Sequence, residues 1–200
     1  MLRVAVLVSG GGTNLQALIN AQSAGKLGNA EIVKVISNNA DAYALIRAQR
    51  AGIPTASVVR GKNDSAEKFE RELIDEIEKS NAGLIVLAGF MAILSPKFIE
   101  KYPKLIINIH PSLIPSFCGK GFYGLKVHEA ALAKGVKVTG ATVHYVNEIP
   151  DGGEIILQKA VEVLPDDTPE TLQKRVMEQA EWVLLPQAVA LLSDEREKKI

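Results

Sequence analysis

Residues 2–8 form an almost unbroken aliphatic run that stops at Ser9-Gly10-Gly11-Gly12-Thr13-Asn14. A short run without polar alternation is what a strand covered on both faces requires. Past the glycines, Leu15, Leu18 and Ile19 return at helical spacing, so the opening reads strand, glycine turn, helix. The unit then repeats. Residues 31–36 predict a strand, residues 42–51 a helix stopped by Gly52 and Pro54, and residues 56–59 a short strand. Across residues 65–79, Phe69, Leu73 and Ile77 mark one helical stripe with charges between them, and residues 84–88 are again aliphatic. Strands alternating with helices predict an α/β fold: an open, mostly parallel twisted sheet with helices on both faces.

The second half changes character. Residues 105–109 read as a strand, and residues 111–123 as a proline- and glycine-rich loop long enough to carry function. A short polar helix is expected over residues 126–134. Residues 140–146 and 154–163 flank the turn Pro150-Asp151-Gly152-Gly153, which predicts a β-hairpin or long β-arm. Thr168 is placed to cap the last helix, with Pro169 in its first turn. That helix is expected to reach about Leu192, kinked or divided at Pro186. Residues 193–200 are charged and lack a stripe, so they read as a frayed tail. Without repeat, linker or low-complexity segment, residues 1–200 read as one domain.

Composition narrows the function. The 23 basic and 23 acidic side chains cancel, which weakens a general nucleic-acid binder but leaves room for a local anion pocket. One cysteine, Cys118, excludes an internal disulfide framework and a thiolate zinc cluster. No apolar run approaches the roughly 20 residues of a membrane-spanning helix, and the N-terminus lacks the anatomy of a signal peptide. The expectation is a cytoplasmic globular protein acting on something small, with no membrane and no nucleic-acid partner.

Three segments could carry chemistry. A glycine-rich turn between strand and helix exposes backbone N–H groups at a positive helix end, where phosphate binds. Ser9–Asn14 is neither a Walker loop nor the dinucleotide fingerprint. The structural alternative is a tight turn with Asn14 as helix cap. In Asn108-Ile109-His110-Pro111-Ser112, residues two apart on a strand project together, and Pro111 ends the strand there. An amide donor beside an imidazole can hold a developing oxyanion and move a proton; the alternative is a satisfied buried Asn and a structural His. Asp151 reads first as a turn residue. Near His110 its carboxylate would raise the imidazole pKa, but the residues alone do not establish that contact.

Other positions carry less. His128 is expected on the surface, and His144 on a strand facing either the site or solvent. The histidine spacing does not argue for a metal. Cys118 lacks the partners of a nucleophile. Trp182, Leu184, Leu185 and Val189 read as core, and Glu181 as a solvated charge.

Taken together, the segments VLVSGGGTNLQALI (6–19), ISNNADAYALIRAQRAGIPT (36–55), VLAGFMAILSP (86–96), INIHPSLIPSF (107–117) and TGATVHYVNEIPDGGEIILQ (139–158) are recognisable. Across essentially its whole length the chain resembles the phosphoribosylglycinamide formyltransferases, the folate-dependent glycinamide ribonucleotide transformylases of purine synthesis. The resemblance implies a formyltransferase fold with a Rossmann-like N-terminal half that binds the ribonucleotide. It places catalysis and folate binding in the C-terminal half, with a β-arm and long helix at the end. It implies formyl transfer from 10-formyltetrahydrofolate to the amine of 5′-phosphoribosylglycinamide, without a metal, by a monomer or homodimer. Residue by residue, it implies that Gly12, Thr13 and Asn14 hold the ribose phosphate. Asn108, His110 and Asp151 form the catalytic trio, with His110 protonated. Met91, Ala92, Ile93 and Leu94, with Asn108, line the folate cleft. Glu181 contacts the glycinamide substrate, which reverses the solvated reading.

The chain departs from the family pattern at several places. Ala66 stands where many relatives have a basic residue, leaving Lys62 or Lys68 to substitute. Leu105 replaces a common Arg or Lys, with Lys104 adjacent, and Trp182 replaces a common His. The loop from Ser116 to Leu125 is longer than in the simplest members. A formyltetrahydrofolate hydrolase would share Asn108, His110 and Asp151, but normally with a further N-terminal domain. A methionyl-tRNA formyltransferase would need an added RNA-binding domain. A non-catalytic nucleotide-binding module could share the fold.

Overall fold

The computed structural model describes residues 1–197. Seven strands form one sheet in the order β3-β2-β1-β4-β5-β6-β7. They are β1 (Leu2–Val8), β2 (Ala30–Ser37), β3 (Thr55–Ser57), β4 (Leu84–Leu87), β5 (Ile106–His110), β6 (Val138–Tyr145) and β7 (Ile155–Glu162). β1 to β5 pair in parallel, and β6 and β7 add antiparallel. Because β2 and β4 flank β1, the order of connection reverses there, and the carboxyl ends of β1 and β4 open a crevice.

The aliphatic strands are continuous because both faces are covered. Val4, Val6 and Val8 face one core with α1 (Thr13–Ser23), α2 (Tyr43–Arg50) and α7 (Trp182–Glu197). Leu7 faces the other core, where Phe69, Leu73 and Ile77 of α3 (Ala66–Lys79) meet Phe98 of α4 (Pro96–Lys101). The helix α4 is absent from the sequence reading, because its six residues are too few to show a period. Ser65 caps α3 by accepting the Lys68 N–H. Thr168 caps α6 (Pro169–Val176) through a reciprocal capping box with Thr171, and Pro169 opens that helix.

The helices of the second half differ from expectation in three ways. The discontinuity of the C-terminal helix is a π-helical turn over Met177–Glu181, and Pro186 lies inside α7. Pro186 cannot donate to the carbonyl of Trp182 and crowds it; the widened turn ends against that residue. Helix also continues through the expected tail to Glu197, because Leu192 and Ser193 are buried on its inner face. Residues 198–200 of that tail lie outside the described residues. Finally, α5 (Leu125–Lys134) turns His128 inward with Val127 and Ala131, so His128 is fully buried and not a surface residue. Among the described residues, no helix is long and apolar enough to cross a membrane.

Candidate active site

The crevice holds two clefts separated by the segment after β4. One, of about 420 Å3, is lined by Ser9 to Asn14 together with Ala88, Gly89 and Met91. Gly12, not Asn14, is the N-cap of α1, in a left-handed conformation (φ 71°). A Cβ there would stand 2.6 Å from the Cβ of Ala44 on α2, so glycine is required both by conformation and by close approach. Asn14 is buried within the helix, and its Nδ2 donates to Glu181 Oε2 at 2.7 Å. Thr13 Oγ1 reaches Met177 Sδ at 3.9 Å, so the π turn meets the start of α1 twice.

Glu181 is therefore not a solvated charge. It is 6% exposed, and burial pushes its carboxyl up to about 6 despite the hydrogen bond from Asn14. It meets the cleft through Asn14. Trp182 beside it is half-buried, and its indole N–H has no hydrogen-bond partner among the described residues.

The second cleft is apolar. Leu87, Phe90, Ala92, Ile93, Leu94 and Ile149 line it, and Asn108, His144 and Asp151 close its inner end. Ala92, Ile93 and Leu94, expected to line one cleft together with Met91, all line this one. Met91 does not: its N–H donates to Ser9 Oγ at 2.8 Å, which turns it to the glycine-loop cleft. Ile93 is 88% exposed at the mouth, an apolar side chain open to a ligand.

Asn108 and His110 share a face of β5, as the alternation requires. Register completes the group. Asn108 lies directly opposite His144, and His110 opposite Thr142, on antiparallel β6. Asn108 Nδ2 and His144 Nε2 are 3.2 Å apart. The His144 Nδ1–H donates to the Tyr145 carbonyl at 2.8 Å, which leaves Nε2 to accept from Asn108. The pairing of β6 with β7 shifts register at His144, a bulge that aims the side chain.

Asp151 sits at the tip of the hairpin with φ 56°. That conformation is uncommon for a residue other than glycine and costs of order 1 kcal/mol or more. Its Oδ2 lies 3.4 Å from His110 Nδ1, and its Oδ1 3.6 Å from His144 Nε2. The same Oδ2 accepts the Gly119 N–H at 2.8 Å. The Phe117 carbonyl accepts the His110 Nε2–H at 2.9 Å. The loop after β5 thus fixes both members of the pair through backbone groups, which side-chain motifs do not reveal.

Electrostatics bear on the protonation expected of His110. Burial drives the His110 pKa down from its ordinary value, and outweighs the Asp151 carboxylate and the Phe117 carbonyl, which push it up. Burial thus favours the neutral imidazole over the protonated form that the resemblance implies. Asp151 goes the other way: burial raises its pKa, but His144, His110 and Gly119 together hold it below the usual carboxylate value. Beneath this group lies His128, pushed down to about 4 by burial and then by His110. Neither of its ring nitrogens has a partner among the described residues.

The departures divide: the Ser116–Leu125 loop reaches the site through Phe117 and Gly119, whereas Leu105 does not. Lys68 is held by Asp64 at 2.7 Å, so it is not a free substitute at the position of Ala66. Lys104 pairs with Glu154 at 2.8 Å, and adjacent Leu105 precedes β5, at the end of the strand opposite His110. Cys118 donates to the Pro115 carbonyl, and burial, then Asp151, raises its thiol pKa, which does not favour a nucleophile. Among the described residues, no group of three or more His, Cys, Asp or Glu side chains is placed to hold a metal ion.

The chain is similar to known proteins over nearly its whole length. The family described as formyl transferase matches residues 2–189. The phosphoribosylglycinamide formyltransferase of Escherichia coli is 41% identical over 197 residues, 98% of this chain and 90% of that protein. The crystal structure of glycinamide ribonucleotide transformylase 1 from Symbiobacterium toebii superposes with a TM-score of 0.90 at 39% identity, covering 98% of this chain and 89% of that one. A formyltetrahydrofolate deformylase from Pseudomonas putida has a TM-score of 0.84 at 34% identity, covering 98% of this chain but 66% of its own.

Proposed function

The chain belongs to the formyl transferase family, and from that membership we infer that it transfers a formyl group from 10-formyltetrahydrofolate to the amine of 5′-phosphoribosylglycinamide, in purine biosynthesis. The products are 5′-phosphoribosyl-N-formylglycinamide and tetrahydrofolate. One observation supports the reading at the level of this chain: Asn108, His144 and Asp151 close the inner end of the apolar cleft with His110 against Asp151, and the glycine-loop cleft lies across the segment after β4.

The two clefts suit the two substrates. Backbone N–H groups and the α1 dipole at Gly12, Thr13 and Asn14 favour the ribose phosphate, and Glu181 supports that end through Asn14. The apolar walls of Ala92, Ile93 and Leu94, with the polar groups at the inner end, suit a flat heteroaromatic ring. The folate supplies the activated formyl group.

The amine attacks the formyl carbon, and negative charge grows on the formyl oxygen. Asn108 Nδ2 donates to that oxygen; a preorganised donor of this kind is worth about 10²–10³ in rate. His144 Nε2 holds the amide in its donating orientation. His110 begins neutral and becomes the imidazolium as the amine loses its proton, when the growing oxyanion and Asp151 both favour the charge. Asp151 stays ionised and steadies the imidazolium, which then gives its proton up toward the leaving folate nitrogen. Protonation of the leaving folate nitrogen completes the transfer, with no covalent intermediate on the chain.

The test is an absorbance assay with 10-formyl-dideazafolate, run with and without glycinamide ribonucleotide. Deformylation only in the presence of the ribonucleotide is expected. Deformylation in its absence identifies a hydrolase, and no reaction in either case identifies a binding module.

A further inference from the structure

The glycine loop is gripped from behind, and the grip dictates which way its amides point. The Ala44 N–H donates to the Gly10 carbonyl at 3.0 Å. Arg47 Nε donates to the Gly11 carbonyl at 2.8 Å. The peptide bonds here are trans, and in a trans peptide the C=O and N–H of one plane point in opposite directions. A Gly10 carbonyl drawn toward Ala44 turns the Gly11 N–H away from α2. A Gly11 carbonyl drawn toward Arg47 turns the Gly12 N–H the same way.

Sheet order gives that direction a destination. α2 follows β2 on one side of β1, while Ala88, Gly89 and Met91 follow β4 on the other. The Gly11 and Gly12 N–H groups therefore face the cleft of about 420 Å3. Successive N–H groups turned to one side form an anion-binding nest. Arg47 is itself immobilised: its Nη1 donates to Gln16 Oε1 at 3.0 Å, and its guanidinium stacks 4.9 Å from the ring centre of Tyr43. A fixed positive charge stands directly behind the nest.

We propose that Arg47, with the Ala44 backbone, is a positioning residue for the phosphate of the ribonucleotide. It sets the Gly11–Gly12 peptide and supplies charge without touching the reacting atoms. The proposal rests on the assignment of the glycine-loop cleft to that phosphate.

The experiment compares glycinamide ribonucleotide with the same molecule lacking its phosphate, glycinamide riboside, in Arg47→Met and Arg47→Lys. For Arg47→Met, KM for the ribonucleotide should rise about tenfold or more, while kcat and KM for the formyl donor move less than about threefold. The riboside should react with unchanged kcat/KM, and inorganic phosphate should lose potency as a competitor in step with the ribonucleotide. Arg47→Lys should recover part of the loss, since it keeps the charge but not the rigid fork. Ribonucleotide and riboside losing equally, or the ribonucleotide losing nothing, overturns the proposal. If the wild-type protein itself handles ribonucleotide and riboside alike, the phosphate assignment fails instead. Should Arg47→Met not fold, the same comparison in Arg47→Lys decides the matter by whether its loss is specific to the phosphate.

Discussion

The two ends of the crevice are built from different materials. The glycine-loop cleft is made of backbone, held by main-chain and guanidinium contacts from α2. The catalytic end is made of side chains, drawn from β5, β6 and the hairpin tip, and fixed by loop amides and carbonyls. The first can bind an anion without any ionisable group changing state. In the proposed reaction the second moves a proton, and its groups have pKa values pushed apart: a buried imidazole driven down and a carboxylate held low. Binding and chemistry should therefore fail separately.

Asn108→Ala and His110→Ala test that separation with the largest effects. Each should lower kcat by about 10²–10³ or more, with ribonucleotide affinity by calorimetry changed only a few-fold. Asp151→Asn comes next. It is nearly isosteric and Asn suits a left-handed turn residue, yet kcat/KM should fall about 10²-fold as the imidazolium loses its support. Because the carboxylate pushes the His110 pKa up, its removal should move the His110 NMR titration to still lower pH. An active Asp151→Asn with an unmoved titration would reduce Asp151 to a turn residue.

At the other cleft, Gly12→Ala should weaken ribonucleotide binding about tenfold and leave folate binding intact. The obstacle is Ala44 on α2, 2.6 Å from the added Cβ, so Ala44→Gly should restore part of the loss. No recovery with Ala44→Gly would place the obstacle in the left-handed φ of residue 12 or at the ligand.

Glu181→Gln should have the smallest effect, and on stability it should be favourable. Burial raises the folded pKa to about 6 from 4.5, so the folded chain holds that proton more tightly. The linked stability is complete below 4.5 and is lost as pH rises through about 6. Above that, the buried carboxylate costs about 2 kcal/mol. Glu181→Gln should therefore raise Tm at pH 7.5, with the gain vanishing near pH 4.5, while ribonucleotide binding weakens. A lower Tm at pH 7.5 would mean that the bond from Asn14 outweighs the burial.

The same division decides what could be read in the sequence. The doubly covered strands were legible because burial on both faces leaves an aliphatic signature, and the glycine turn because its constraint is local. Asn108 and His110 were legible as a pair because strand alternation links them. The contacts of His144 and Asp151 were not, because they depend on β5–β6 register and on loop carbonyls 7 and amides 32 positions away. His128 was misread because one inward turn of α5 decides its burial. The π turn was invisible because it shifts the helical period by part of a residue, and the glycine loop's dependence on Arg47 because a lone arginine on an amphipathic helix carries no signature.

The hydrogen bond from Asn14 to Glu181 spans 167 positions of chain. During synthesis, the glycine loop leaves the ribosome well before the π turn, and its buried amide gains this partner only after Glu181 has been made. A contact of such high order forms late in folding. A product broken off before the π turn would keep every glycine of the loop and still lack the carboxylate that holds Asn14. Order at the glycine loop is in this sense a read-out of synthesis past the π turn.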